Sequence, residues 1–455
     1  MPEMPPIPGP PLRLRGLVPG TVASAVELLG DRPVVLARCR AGSRGGALSE
    51  VAGRTLASAA NEARALGLPL VVVVASGGAD VADGINALHG WGLAAAAMAR
   101  CSGRVPVLMA VTGPAVSGQA LVLGLADVVC LAGGATAYVS GPAMVEEMTG
   151  VRVSPTDLGG AAVHARHSGL AALTVADETA ALAALAEVLA YLPDSCDDLP
   201  PSMPVDDPGD RPCPNLATVL PATPTGAYDV RTVAAEVADA ESFLELWAGW
   251  APNLVVGLAT VEGHPVGVVA NQPQTLAGTL DIPASQKGAR FVDLCDGFNV
   301  PLLTLVDTPG FFPGKDLEWR GMIRHGGQLA FTYARATVPR VSVILRKAYG
   351  GAYIVMDCRT MGNDLALAWP SAEIAVMGAK GAVEILHRRS TPEERAAAEA
   401  AYVAELLTPY VAAERGYVDQ VIHPADTRAV VATALRALRS KLDPFAARKH
   451  DSMPC

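Results

Sequence analysis

Four glycine turns follow long apolar runs in this sequence, and they are the positions best suited to chemistry. LPLVVVVASGG (Leu68–Gly78) and VPLLTLVDTPG (Val300–Gly310) end in glycine. VLMAVTGPAVSGQALV and VSVILRKAYGGAYIVM each carry a glycine turn within them. A continuous apolar run bounded by glycine reads as a buried parallel strand and its exit turn. Glycine there permits positive φ and close approach of a ligand, and the helix that follows presents N–H groups with no intrahelical partner. A pair of such N–H groups is what an oxyanion hole requires. The competing reading of each turn is that it only turns the chain.

Other reactive side chains point to less. His325 in IRHGG reads as a hydrogen-bonded structural histidine, with a catalytic base as the alternative. His164 and His167 in AVHARHS have helix-like spacing but no third ligand, so no metal site is expected. The eight cysteines, Cys39, Cys101, Cys130, Cys196, Cys213, Cys295, Cys358 and Cys455, include no C-x-x-C pair and no zinc spacing. Several lie in apolar stretches, which suits reduced, buried thiols in a cytosolic protein.

The elements that must hold these turns repeat. Each of the two long apolar runs is preceded by a helix-like segment, Gly46–Leu66 and Ser285–Phe298, and followed by a second apolar strand. With Gly78 set against Gly310, the later turns at Gly118 and Ala352 follow at intervals of 40 and 42 residues. The spacing suggests an internal duplication; two unrelated α/β domains with a common strand–turn–helix grammar are the alternative. Strands alternating with helices imply parallel sheets, with ligands at the C-terminal strand ends where the glycine turns lie. A Pro- and Asp-rich stretch over 193–227 reads as the linker, giving domains over 1–192 and 228–455.

Composition sets the outer limits. The 455 residues are 51% hydrophobic and 18% charged, with a formal net charge of −10. That balance excludes a disordered chain and lacks the basic footprint of a nucleic-acid binder. An anionic substrate would need a local basic pocket against the overall field. Met1–Pro11 is Pro-rich with no apolar core, so no signal peptide is read, and no apolar stretch is long enough to span a membrane. A cytoplasmic location is expected.

LVVGLATVEGHPVGVVANQPQTLAGTLDIPASQKGARFVDLCDGFNVPLLTLVDTPGFFPG, IRHGGQLAFTYARATVPRVSVILRKAYGGAYIVM, WPSAEIAVMGAKGAVEIL and AAERGYVDQVIHPADTR together resemble the carboxyltransferase β subunits of biotin-dependent acyl-CoA carboxylases, of the propionyl-CoA and acetyl-CoA carboxylase kind. The first half resembles them through SGGADVADGINALHG, VTGPAVSG, YVSGPAMVEEMTG and DLGGAAVHARHSG, with more departures. The resemblance implies an α/β fold of two tandem crotonase-like (ClpP/crotonase) domains. It also implies transfer of a carboxyl group from carboxybiotin to the α-carbon of a small acyl-CoA, acetyl or propionyl, with no metal in this chain. The sequence contains neither a biotin-attachment A-M-K-M nor an ATP-grasp region, so a biotin carboxylase/biotin carrier α subunit is the expected partner. The family's active sites lie between subunits, commonly in a homo-hexamer.

By the same resemblance, Gly351 and Ala352 hold the biotin ureido oxygen, and Ser117 and Gly118 the thioester oxygen. Gly77, Gly78, Gly350, Tyr353 and Ile354 complete the substrate-binding set. Ser117 stands where the family has glycine, and Asp80 where it has arginine. Ile354 occupies a position where propionyl-preferring relatives carry Asp, so it reads either as a selector of the acyl group or as neutral packing. Arg38, Arg40, Arg44 and Arg54 could bind the CoA phosphates, ordinary solvated arginines being the alternative. Two further readings stay open: a malonyl- or methylmalonyl-thioester decarboxylase or transcarboxylase with an unusual acceptor, and a non-catalytic scaffold subunit.

Overall fold

The structure is a computed structural model that describes residues 12–13, 21–40, 43–223, 225–441, 443, 450 and 452. It divides into two compact units, residues 1–200 and 201–455. In the first unit the sheet comprises β1 (Leu12–Arg13), β2 (Val22–Leu29), β3 (Arg32–Cys39), β4 (Leu70–Ser76), β5 (Val107–Val116), β6 (Val128–Ala132), β7 (Thr136–Tyr138) and β8 (Leu173–Val175). The strand order is β1-β2-β3-β4-β5-β6-β8, with β7 pairing β5 beyond β6. Strands β2 and β3 are antiparallel; from β3 onward the ladder is parallel.

The second unit repeats this plan. Its strands are β9 (Leu244–Leu246), β10 (Leu254–Val261), β11 (His264–Asn271), β12 (Leu302–Thr308), β13 (Arg340–Tyr349), β14 (Leu365–Ala368), β15 (Glu373–Ala375) and β16 (Gln420–Val421). Their order is β9-β10-β11-β12-β13-β14-β16, with β15 pairing β13. Register fixes the correspondence residue by residue. Leu70 pairs Val107 and Leu302 pairs Arg340; one irregularity interrupts each ladder, after Val74 and after Val306; pairing then resumes at Ser76–Ala115 and Thr308–Ala348. Two unrelated domains would not share a bulge at the same rung.

The helices follow from local sequence. Helix α1 (Glu50–Leu66) starts at Ser49, whose side chain accepts from the Ala52 N–H, and stops at Gly67 with φ +66°. It packs on α2 (Ile85–Ala99), where Gly53 and Gly90 let the backbones touch: a Cβ on Gly53 would lie 2.2 Å from the Gly90 carbonyl. The short helix α3 (Gly118–Leu123) follows β5. Their counterparts are α4 (Ile282–Gly297), capped by Asp281 on the Ala284 N–H, then α5 (Met322–Arg335) and α6 (Gly350–Val355). Valines, leucines and alanines of β3–β6 pack beneath α1 and α2 as one core, and those of β10–β14 form the other.

Residues 201–223 and 225–227 of the Pro- and Asp-rich stretch belong to the second unit. Cys213 and Leu216 are buried in its core, and Arg211 donates to the Glu236 and Ala238 carbonyls. Buried Arg428 reaches the Asp207 and Pro208 carbonyls and the Asp239 carboxylate. Six of the seven described cysteines are buried, and burial pushes the Cys39 thiol up to about 12. Met1–Pro11, Cys455 and the Arg44 side chain lie outside the described residues. No described helix is long and apolar enough to cross a membrane.

Candidate active site

Both units build the same corner where strand becomes turn. Gly78 has φ +108°, and its carbonyl accepts from Leu48 N at 2.8 Å; Gly310 has φ +142° and accepts from Leu280 N at 3.1 Å. The Ser76 and Thr308 hydroxyls accept from these glycines' own N–H groups, at 3.3 and 3.4 Å. Asp80 N donates back to the Leu48 carbonyl as Phe312 N does to that of Leu280. Asp80 and Phe312 are therefore equivalent positions. The Asp80 carboxylate accepts from Ala82 N at 3.0 Å, capping the turn Val81–Asp83, and Asp83 accepts from Glu50 N at 2.7 Å. Gly77 N donates to Gly45 O at 2.9 Å.

Counting on from Ala115 and Ala348, Ser117 matches Gly350 and Gly118 matches Gly351. The interval alignment that set Gly118 against Ala352 is one residue out of register. Ser117 has φ +60° and Gly350 φ +59°, so the serine occupies a backbone conformation that favours glycine. Its N–H donates to the Tyr138 carbonyl at 3.0 Å. With the Ser117 N–H engaged, Gly118, Gln119 and Ala120 open the helix with no i−4 carbonyl inside it, and the first two of these are the counterparts of Gly351 and Ala352. Trp91 of α2 seats the first turn: its Nε1 donates to Gly118 O at 2.6 Å, and a Cβ on Gly118 would meet its ring. Gln119 is only 4% exposed, and its Nε2 has no hydrogen-bond partner among the described residues.

The second turn opens into a cavity of about 560 Å³ within its unit, which Gly350, Gly351, Tyr353, Ile354, Val376 and Arg415 help to line. Ala352 and Tyr353 are buried, whereas Ile354 is 40% exposed on the wall. Beneath the turn, Asp307 at the end of β12 takes Arg346 Nε at 3.0 Å and Lys347 N at 3.1 Å. Arg346 also donates to Gly226 O at 2.7 Å and lies over the Tyr228 ring. Burial pushes the Asp307 carboxyl up, and Arg346 opposes that shift. The Tyr349 hydroxyl donates to the Glu373 carboxylate.

Other expected residues separate by partner. Arg38 is paired with Glu178 and Glu27, and Arg54 with Glu50. Arg40 is exposed and has no ion pair among the described residues. His325 accepts or donates between Gln328 and Gln286 at 3.0 and 3.3 Å, and His164 bonds Ser168 and the Ala137 carbonyl. Sequence reasoning missed Asp307, Arg346, Gln119 and Arg415. The signal for the first two was present: a carboxylate and a guanidinium each directly following an apolar run, Leu305–Val306 and Val343–Leu345.

The carboxyl transferase domain family matches residues 28–453. The chain is 43% identical, over 433 residues, to the propionyl-CoA carboxylase beta chain of Saccharopolyspora erythraea, covering 90% of this chain and 79% of that one. It is 38% identical to the methylmalonyl-CoA decarboxylase subunit alpha of Veillonella parvula, covering 90% and 80%. Among solved structures, the transcarboxylase 12S hexamer with methylmalonyl-CoA and methylmalonic acid bound is similar at a TM-score of 0.94 and 39% identity, covering 96% of this chain and 85% of that one.

Proposed function

The chain belongs to the carboxyl transferase family and is a carboxyltransferase subunit acting on acyl-CoA; from that premise we propose that it moves the carboxyl group of carboxybiotin, held on a separate carrier subunit, to the α-carbon of acetyl- or propionyl-CoA. The observation that carries this reading is the matched pair of strand-to-helix turns, one per unit, each with N–H groups free to meet an anion. Carboxybiotin, when bound, would supply CO₂ and a ureido nitrogen able to take the α-proton of the thioester, and the two turns of this chain would hold the ureido oxygen and the enolate oxygen while the carboxyl group moves. Two oxygens gain negative charge along this path, so two oxyanion holes are needed. Loss of one donor costs roughly 3–4 kcal/mol of barrier.

Gly351 and Ala352 would serve the ureido oxygen. On the thioester side Gly118 serves with Gln119, because the Ser117 N–H is already engaged by Tyr138. Gly77, Gly78, Gly350 and Tyr353 shape the turns around them. Of the candidate arginines whose side chains are described, Arg40 is the one without an ion pair and would meet a CoA phosphate. The fold is the two-domain crotonase-like (ClpP/crotonase) arrangement of the family, and a homo-hexamer is proposed by analogy with transcarboxylase 12S.

The departures of the first turn, Ser117 at positive φ and Asp80 in place of a cation, favour a second reading in which the chain decarboxylates a malonyl- or methylmalonyl-thioester. Carboxyl transfer measured in both directions, with free biotin and with a biotinylated carrier, separates the two. Net carboxylation of acetyl- or propionyl-CoA supports the first; CO₂ release without a carboxylated acceptor supports the second; no activity in a folded oligomer leaves a scaffold subunit.

A further inference from the structure

Leu121 and Ile354 are the same residue of two copies of one motif. SGQALVL (117–123) and GGAYIVM (350–356) superpose through the ladder register, so each aliphatic side chain lies three residues past its turn glycine. The two residues after each are buried: Val122 and Leu123 in one unit, Val355 and Met356 in the other. Leu121 is nevertheless 51% exposed, as Ile354 is 40% exposed. In a helix, residues three apart share a face, so each side chain stands above the glycine whose N–H is free.

The agreement extends to the next strand. Val139 follows β7 as Val376 follows β15, and both are exposed. In the second unit Ile354 and Val376 line the cavity that begins at the turn. The first unit thus sets Leu121 and Val139 around its own turn at the positions that form a cavity wall in the second. A half-exposed leucine beside an N–H pair is a surface waiting for an apolar group attached to the oxygen those N–H groups receive.

We propose that Leu121, with Val139 beside it, is the wall against which the acyl chain of the thioester lies, and that Leu121 limits its length. This rests on the carboxyltransferase reading and on the thioester binding at the first turn. A hydrophobic wall discriminates substrates differing by a methylene about 10- to 200-fold. Truncating the wall should move the preference toward longer chains.

The test compares wild type, Leu121→Ala and Leu121→Phe, with transfer from malonyl-, methylmalonyl- and ethylmalonyl-CoA to free biotin. Leu121→Ala should raise the ratio of kcat/KM for ethylmalonyl-CoA over malonyl-CoA at least tenfold, and Leu121→Phe should lower it, with KM for biotin unchanged in both. Calorimetric binding of butyryl-CoA against acetyl-CoA reads the same pocket without turnover and should shift in the same directions. Ratios that stay within twofold in both assays overturn the proposal, as does a shift produced by Ile354→Ala and absent in Leu121→Ala. A wild type that transfers nothing overturns the functional reading instead, and the calorimetric ratio then still decides the role of Leu121.

Discussion

Asp307 and Arg346 form an ion pair of 3.0 Å beneath the second turn, their side chains 1% and 10% exposed, at positions where the first unit carries Ala75 and Gly113. A Cβ on Gly113 would lie 3.0 Å from that of Ala75, so the first unit closes this layer by contact alone. One frame supports a charged and an apolar solution at the same rung.

Removing one partner of the pair leaves the other charge buried. Asp307→Ala is expected to destabilise the second unit by about 3–5 kcal/mol. Asp307→Ala combined with Arg346→Met should cost clearly less than the sum of the single changes, because no uncompensated charge remains. Urea unfolding of the four proteins, read as a double-mutant cycle, checks this; additive effects would show that the pair is not coupled.

Ser117 holds a φ of +60° that suits glycine. Ser117→Gly should relieve about 1–2 kcal/mol of backbone strain and raise the first melting transition by roughly 2–4 °C per kcal/mol. Carboxyl transfer should persist, since the N–H groups proposed to meet the thioester oxygen belong to the next two residues. Calorimetry and the transfer assay read both, and a lower Tm would mean that the serine hydroxyl supplies more than its backbone loses.

Ile354 lies on the cavity wall, so on the proposed reading Ile354→Asp would set a carboxylate beside the developing anion, and its desolvation is costly. The ratio of acetyl-CoA to propionyl-CoA specificity constants should fall by roughly 10- to 200-fold without loss of all activity. Steady-state kinetics on both thioesters, with circular dichroism to verify folding, decide the matter. A ratio unchanged within twofold makes Ile354 a packing residue.

Lys287 is buried in α4, and its ammonium donates to the carbonyls of Trp247 and Trp250, both at 2.9 Å. Burial pulls its pKa down to about 7 from 10.5. Between those two values the unfolded chain carries the proton and the folded chain does not, so stability should rise with pH across the window, by at most about 1.4 kcal/mol per pH unit. Lys287→Met should flatten that slope while lowering stability overall, because the carbonyls lose their donor. Unfolding midpoints between pH 7 and 10 give the slope; an unchanged slope in the variant assigns the titration to another group.

Much of this molecule was legible in its residues. Apolar runs of strand length closed by glycine located β4, β5, β12 and β13, because a strand buried on both faces must be apolar throughout and must leave the sheet through a turn. Ser49, Asp281 and Thr391 cap helix starts for a local reason, a side-chain oxygen meeting a backbone N–H a few residues on, although the helix-like segments read from the sequence, Gly46–Leu66 and Ser285–Phe298, do not begin at those caps. The repeat of these signals disclosed two like units, and the motifs disclosed the family. Register was not legible, because a bulge after Val74 and after Val306 shifts the pairing without changing the pattern of apolar residues. Only the folded ladder could set Gly118 against Gly351 and so Leu121 against Ile354. Partnership was not legible either: the Ser117 N–H is engaged by a carbonyl 21 residues away in sequence, and Arg346 meets Asp307 across 39 residues. Local chemistry writes the elements and their ends, whereas which donor stays free for a substrate depends on contacts that exist only once distant strands lie side by side.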